Sequence, residues 1–299
     1  MTEAVLLAGK AVPSSDGRKD QVFPLREPPP DLDASRALPI GDVLLGSTLL
    51  RRASVLIVLV LLWQAYGVYA NNNLIFPTAL EACSAFWGGL TSGVLFTRTL
   101  SSLTLLIQAY VIGLALALLL VAFAVSSSIG SDILSTLTAM FNPLPAIALL
   151  PLGLLWFGLG AGSILFVVVH SVLWAVALNT HVGFQSVGET VRMAGRNMGL
   201  SGPAYIFRLL IPAAFPAILS GLRIGWAFAW RTLIAAELVF GATSRSGGLG
   251  WYIFENRNNL NTPAVFAGLL TVILIGLFVE VLVFGAIEAR TIKKWGMQR

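Results

Sequence analysis

The chain has 299 residues, 57% of them hydrophobic and only 11% charged, with a mean hydropathy of +0.84. Water-soluble domains carry about 25% charged residues, so this chain lacks the polar surface to face water on all sides. Its net charge of +5 is not a nucleic-acid signal, because basic residues in membrane proteins gather in the loops of one membrane face.

Apolar runs of about 20 residues, long enough to cross a bilayer as helices, recur along the chain. The short alternating segments of a transmembrane barrel are absent. The expected class is therefore an all-α integral membrane protein with the lipid bilayer as its first partner. The single cysteine, Cys83, excludes an intrachain disulfide. With only two histidines, His170 and His181, a structural zinc site is not expected. The sequence has no P-loop and no G-x-S-x-G motif. No catalytic residue, metal site or cofactor is expected in the chain itself.

Residues 1–36 are rich in Pro, Ser and charges of both signs, as in "VPSSDGRKDQVFPLREPPPDLDASR". Their few apolar residues have no period, which predicts a disordered tail. Residues 37–52 read as a short interfacial helix ending on Arg51 and Arg52. A first span follows at 53–70, with Trp63, Tyr66 and Tyr69 toward its far end, as aromatic belts are placed. Residues 71–98 are too broken to span and read as an outer loop with a short amphipathic helix. The second span is 100–125, and 126–143 is expected to be an inner connection. The third span, "LPAIALLPLGLLWFGLG" at 144–160, contains Pro145 and Pro151. The fourth is 163–180, the fifth 213–240, and the sixth 264–287. The membrane domain is thus expected over 53–290, with a C-terminal tail at 291–299.

Six spans place both ends of the chain on one side. Arg51, Arg52, Arg192, Arg196, Arg208, Arg290, Lys293, Lys294 and Arg299 then share that side, and only Arg98, Arg245 and Arg257 face the other. The positive-inside bias makes the first side cytoplasmic.

Between spans four and five lies "MAGRNMGLSGPAYIFRLLIPAAFP" (193–216). Gly199 suits a helix C-terminus, where a left-handed residue is needed. Pro203 and Pro212 begin or break helices. Gly199 is followed by nine residues and then "LLIP". In this spacing the chain resembles the permease subunits of bacterial ABC importers, whose cytoplasmic loop reads E-A-A-x3-G-x9-I-x-L-P. Ala194, Gly199 and Pro212 match directly, and Leu209 and Ile211 are conservative swaps. Met193 stands where the pattern has Glu, and Gly195 where it has the second Ala. The resemblance extends to 142–160 and 221–253, which look like the subfamily importing nitrate, taurine and alkanesulfonates.

That resemblance implies a type I importer permease fold and a coupling helix at about 187–200 that docks on a separate ATPase. Glu189, Arg192, Met193, Ala194, Gly195, Arg196, Gly199 and Pro212 are its candidate coupling residues. It further implies a dimer of ATP-binding subunits holding ATP and Mg, a periplasmic solute-binding protein, and a second permease copy. The solute would be a small anion such as nitrate, taurine or another sulfonate, and the membrane would be the bacterial inner membrane. The rival reading is a stand-alone secondary transporter or channel, which would show broken helices at matching places in both halves.

Span five carries Ala213, Ala217, Gly221, Gly225 and Ala229 at every fourth position. Such a stripe allows close helix packing, within one subunit or at a dimer axis. Arg223, Arg231 and Glu237 fall in or near the same span, and intramembrane charges face a cavity or a partner. Arg231 is expected to line the path and favour an anion, or else to form a structural lock with Glu237. His170 and Trp174, four apart on span four, and Trp230 complete the candidate path residues.

Overall fold

The computed structural model describes residues 48–240 and 247–294. The expected N-terminal tail, most of the interfacial helix, Arg245 and Arg299 lie outside the described residues. The described chain is helical, with no strand.

Helix α1 (Thr48–Ala70) is apolar almost throughout. Its buried Gly67 admits the backbone of Thr78, whose Cα lies 2.9 Å from where a β-carbon would stand. The Trp63 indole N–H donates to the Pro77 carbonyl at 3.0 Å. Helix α2 (Ala79–Thr91) starts with a capping box: Thr78 Oγ1 accepts from the Glu81 amide and the Glu81 carboxylate from the Thr78 amide. Such reciprocal caps satisfy two of the orphan donors at a helix start.

Helix α3 (Val94–Ser126) has 33 residues and is about 50 Å long at 1.5 Å per residue, more than a bilayer core requires. Ser127 ends it in extended conformation and its hydroxyl caps α4 by accepting from the Gly130 amide. Helix α4 (Ser128–Phe141) occupies most of the segment expected to be an inner connection. Pro143 and Pro145 stop it. A tight turn (Ala146–Leu149) and α5 (Leu150–Phe157) follow, bent 88° from α4.

This bent pair corrects the reading of a third span confined to 144–160. The helical part of that stretch is too short to cross alone. The crossing is shared instead between α4 and α5. Ser131 near the start of α4 meets His181 near the end of α6 (Ala161–Gln185) at 3.1 Å. Phe141 stacks on Trp174 near the middle of α6. Gly153 of α5 lies against Ser163 at the beginning of α6. The pair therefore runs the length of α6 in the opposite direction and is a broken span rather than a re-entrant loop. With five long apolar helices it brings the crossings to six.

After α6 come α7 (Glu189–Asn197), α8 (Gly202–Tyr205), a π turn (Ile206–Leu210) and α9 (Ile211–Phe240). Helices α8 and α9 form one helical run of 38 residues, Gly202–Val239. Pro212 therefore lies inside the run rather than starting it. A proline removes one backbone donor and pushes on the carbonyl four residues back. The wider π winding just before it, in which the Ile211 amide reaches the Ile206 carbonyl, takes up that strain.

Helices α6 and α9 form the centre of the bundle. The small-residue stripe of α9 faces α6 within the same chain. A β-carbon on Gly221 would stand 2.7 Å from Asn179 Cβ, one on Gly225 2.9 Å from Val176, and one on Gly183 2.6 Å from Ala217. These contacts settle the stripe's role as intrasubunit packing.

Helix α10 (Leu249–Asn258) lies between the fifth and the sixth crossing. It buries Leu249, Gly250, Tyr252 and Ile253. Helix α11 (Thr262–Phe278), a π turn (Val279–Phe284), α12 (Gly285–Glu288) and a second π turn (Ala289–Lys293) form the last crossing.

Candidate coupling element and translocation cavity

Helix α7 closes with a complete Schellman motif. The Leu200 amide reaches the Gly195 carbonyl at 3.1 Å and the Gly199 amide the Arg196 carbonyl at 2.9 Å. Gly199 has a φ of +77°, the left-handed conformation that favours glycine at this place. Gly195 is the one buried residue of α7 and packs on Leu209, where an added β-carbon would lie 3.0 Å from Cδ1. The two departures from the importer pattern at these positions thus meet: a smaller residue on α7 faces the Leu that begins "LLIP".

Arg192 turns inward. Its guanidinium donates to the carbonyls of Val187 and Phe184 at the end of α6. A cation bonded to the last carbonyls of a helix is favourable there, so Arg192 ties α7 to α6. Glu189 and Arg196 form a surface pair at 3.8 Å, both 64% exposed, a type of contact worth about 0–1 kcal/mol. Val191, Met193, Ala194 and Met198 are exposed. The face opposite Gly195 therefore carries Met193 among exposed polar residues, Thr190, Asn197 and the Glu189–Arg196 pair.

At mid-bundle, the α4–α5 break leaves a cavity of about 370 Å³ between the bend, α6 and α9. His170 and Trp174 line it from α6, Phe228 and Arg231 from α9, and Phe141 and Asn142 from the bend. Arg231 donates to the Ala227 carbonyl of its own helix at 3.0 Å and lies over the Phe228 ring at 5.0 Å. Among the described residues it has no carboxylate partner. A second cavity of about 230 Å³ shares Asn142 and Pro143 with the first and continues along α4 past Thr138 to His181 and Gln185. A polar track thus runs from Arg231 toward the end of the bundle that carries α7.

Three of the five residues singled out for a path, His170, Trp174 and Arg231, come together at this cavity. Trp230 and Glu237 do not. Trp230 is buried and donates to the Val272 carbonyl of α11 at 3.2 Å. Glu237 is 1% exposed, and no Arg231–Glu237 lock forms. The Glu237 carboxylate accepts from the Ser102 hydroxyl and from the Gly250 amide at 2.9 Å. Ser102 in turn accepts from the Leu249 amide at 2.8 Å. Arg223 is held by Glu280 at 3.2 Å and Glu288 at 3.0 Å on the last crossing. Ser102, Asn142 and Phe141 had carried no signal in the sequence, because their partners are far away along the chain.

Residues 109–292 match the family model of the binding-protein-dependent transport system inner membrane component. The chain is 30% identical over 242 residues to the nitrate import permease protein NrtB of Synechocystis sp., covering 77% of this chain and 85% of that one. It is 30% identical over 224 residues to a putative aliphatic sulfonates transport permease of Escherichia coli, covering 75% and 84%. A putative ABC transporter permease of Methanocaldococcus jannaschii is 29% identical over 225 residues, covering 74% and 83%. These matches favour an importer over a stand-alone transporter or channel. Together with six apolar crossings and the α7 element between the fourth and fifth, they place the chain in the family of binding-protein-dependent transport system inner membrane components, as the multi-pass permease subunit of an ABC importer.

Proposed function

We propose that α7 is the coupling helix of this permease and that the α7 end of the bundle faces the cytoplasm. The observation that carries the proposal is the anchoring of α7. Arg192 fixes it to α6 and Gly195 seats it on Leu209 at the head of α9. A push on α7 therefore reaches the two central helices directly. The opposite surface, with Met193 beside Glu189 and Arg196, is left for a separate ATP-binding subunit. ATP is bound with magnesium and hydrolysed in that partner.

Two copies of the permease, each with one ATP-binding subunit, form the translocation path. The cavity at the α4–α5 break and the polar track below it line that path. A solute-binding protein delivers the solute at the far end, near α10. Six crossings and the weight of basic residues on the α7 side support a cytoplasmic position for both chain ends. The solute is a small anion, in keeping with Arg231 and with relatives named for nitrate and sulfonate transport.

Co-purification tests the reading. The tagged permease is expected to bring down an ATP-binding subunit, and the reconstituted pair is expected to take up solute only with ATP and the binding protein. Recovery of the permease alone, with uptake indifferent to ATP, would overturn it.

A further inference from the structure

Three polar side chains line the cavity at the α4–α5 break, and two of them have no hydrogen-bond partner. Arg231 is exposed toward it, and no Asp or Glu is among the residues that line it. The Trp174 indole is only 8% exposed, and its Nε1–H has no hydrogen-bond partner. Neither ring nitrogen of His170 has one. Buried polar groups are nearly always paired, and each exception calls for an explanation.

Phe141 supplies that explanation. Its ring stacks on the Trp174 indole at 5.1 Å and 15° and meets the His170 imidazole edge-on at 6.3 Å and 84°. It covers both. Phe141 is also the last residue of α4 and sits at the 88° break. A small change in the angle of that break carries the ring aside without unwinding a helix.

We infer that this cavity is a binding station for a small monovalent oxyanion, covered by Phe141. Arg231 supplies the charge, and its planar fork of donors matches an oxyanion better than a spherical ion. With Phe141 displaced, the Trp174 N–H and the His170 ring complete the donor set. The walls formed by Phe228 and the proline-rich bend suit a short apolar body attached to the anion. The permease itself then selects its solute, in addition to any selection by a binding protein. The inference rests on the reading that this chain lines the path.

The test uses the complete transporter, permease with its ATP-binding subunit, in lipid nanodiscs without binding protein. Titration calorimetry is run with sodium ethanesulfonate, sodium nitrate, sodium chloride and neutral ethylene glycol. Saturable binding of ethanesulfonate or nitrate is expected, with none for ethylene glycol and at least tenfold weaker binding for chloride. Arg231→Gln is expected to abolish binding, Arg231→Lys to weaken it about tenfold, and Trp174→Phe to weaken it severalfold. Phe141→Ala is expected to bind at least as tightly as the parent, because the cover is gone. Each variant is first shown to elute with its ATP-binding subunit, which separates loss of the site from loss of the fold. No saturable binding by the parent, or Arg231→Gln binding within twofold of it, overturns the station. If the parent also shows ATP-driven uptake, only the station falls; if no ATP-binding subunit accompanies it, the importer reading falls.

Discussion

The Ser102 hydroxyl lies 2.8 Å from both carboxylate oxygens of Glu237, joining α3 to α9 at the end of the bundle away from α7. The Leu249 and Gly250 amides at the start of α10 complete the cluster. Gly248 and Gly250 leave room for it: a β-carbon on Gly248 would stand 2.0 Å from Glu237 Oε1, and one on Gly250 2.6 Å from Glu237 Cβ. An acidic residue that looked like a transport residue thus fastens three helices. Glu237→Ala would leave the Gly250 amide and the Ser102 hydroxyl proton buried without an acceptor, at about 1–3 kcal/mol each. It is expected to lower the midpoint of thermal unfolding in detergent by several degrees. Glu237→Gln keeps an acceptor and is expected to lose less than half as much. Solute preference is expected to be unchanged in Glu237→Gln, and a changed preference would return this residue to the path.

The anchoring of α7 separates its residues into two classes with different expected effects. Arg192→Ala removes two charge-assisted bonds to the end of α6, each worth about 1.5–3 kcal/mol. It is expected to reduce ATP-driven uptake at least tenfold while the permease remains folded. Glu189→Ala and Arg196→Ala remove only an exposed pair and are expected to leave uptake within about twofold. Gly195→Ala presses on the tip of a flexible Leu209 side chain and is expected to be tolerated. Gly195→Leu has no such room and is expected to lift α7 and uncouple the ATP-binding subunit. Uptake into vesicles, with ATP hydrolysis measured in parallel, distinguishes these outcomes.

Met193 occupies the place of the glutamate in the importer loop pattern. It is 50% exposed on the face of α7 opposite Gly195, beside the Glu189–Arg196 pair. Methionine is adaptable and fills irregular apolar grooves, so an apolar grip on the ATP-binding subunit is expected here. Met193→Glu is then expected to weaken co-purification of that subunit, and high salt to leave the parent's association intact. Tighter association of Met193→Glu would show that the partner retains a basic residue for an acid at this position.

Much of this was legible in the sequence. The number of crossings followed from the lengths of apolar runs, and the α7 element from the spacing of Gly199 and Pro212. The break between α4 and α5 was not legible. Residues 126–143 carry Asp132 and many hydroxyl residues, so their hydropathy hides a helix that buries Gly130, Leu134 and Thr138 against its neighbours. Glu237 and Ser102 are 135 positions apart, and no local pattern can pair them. Arg223 shows the same limit. Glu280 and Glu288 lie about 80° apart around an ideal helix of 3.6 residues per turn. The π turn at Val279–Phe284 advances through a smaller angle per residue and brings both to Arg223.

Cys83 allows the sidedness to be measured without disturbing the fold. It is the only cysteine in the chain and is exposed on α2. Helix α2 follows the end of α1, and Thr262 at the start of α11 donates to the Leu74 carbonyl beside it. This end of the bundle is opposite α7. A membrane-impermeant maleimide is therefore expected to label Cys83 in intact spheroplasts. In a Cys83→Ser background, Met198→Cys lies on the exposed surface next to α7, at 79% exposure, and is expected to react only in inverted vesicles or after permeabilisation. The opposite pattern at both positions would invert the topology and move α7 out of reach of any cytoplasmic ATPase, whatever the quality of the motif. Labelling of both positions from the same side would instead require an even number of crossings between them, and the α4–α5 pair would then have to be re-entrant.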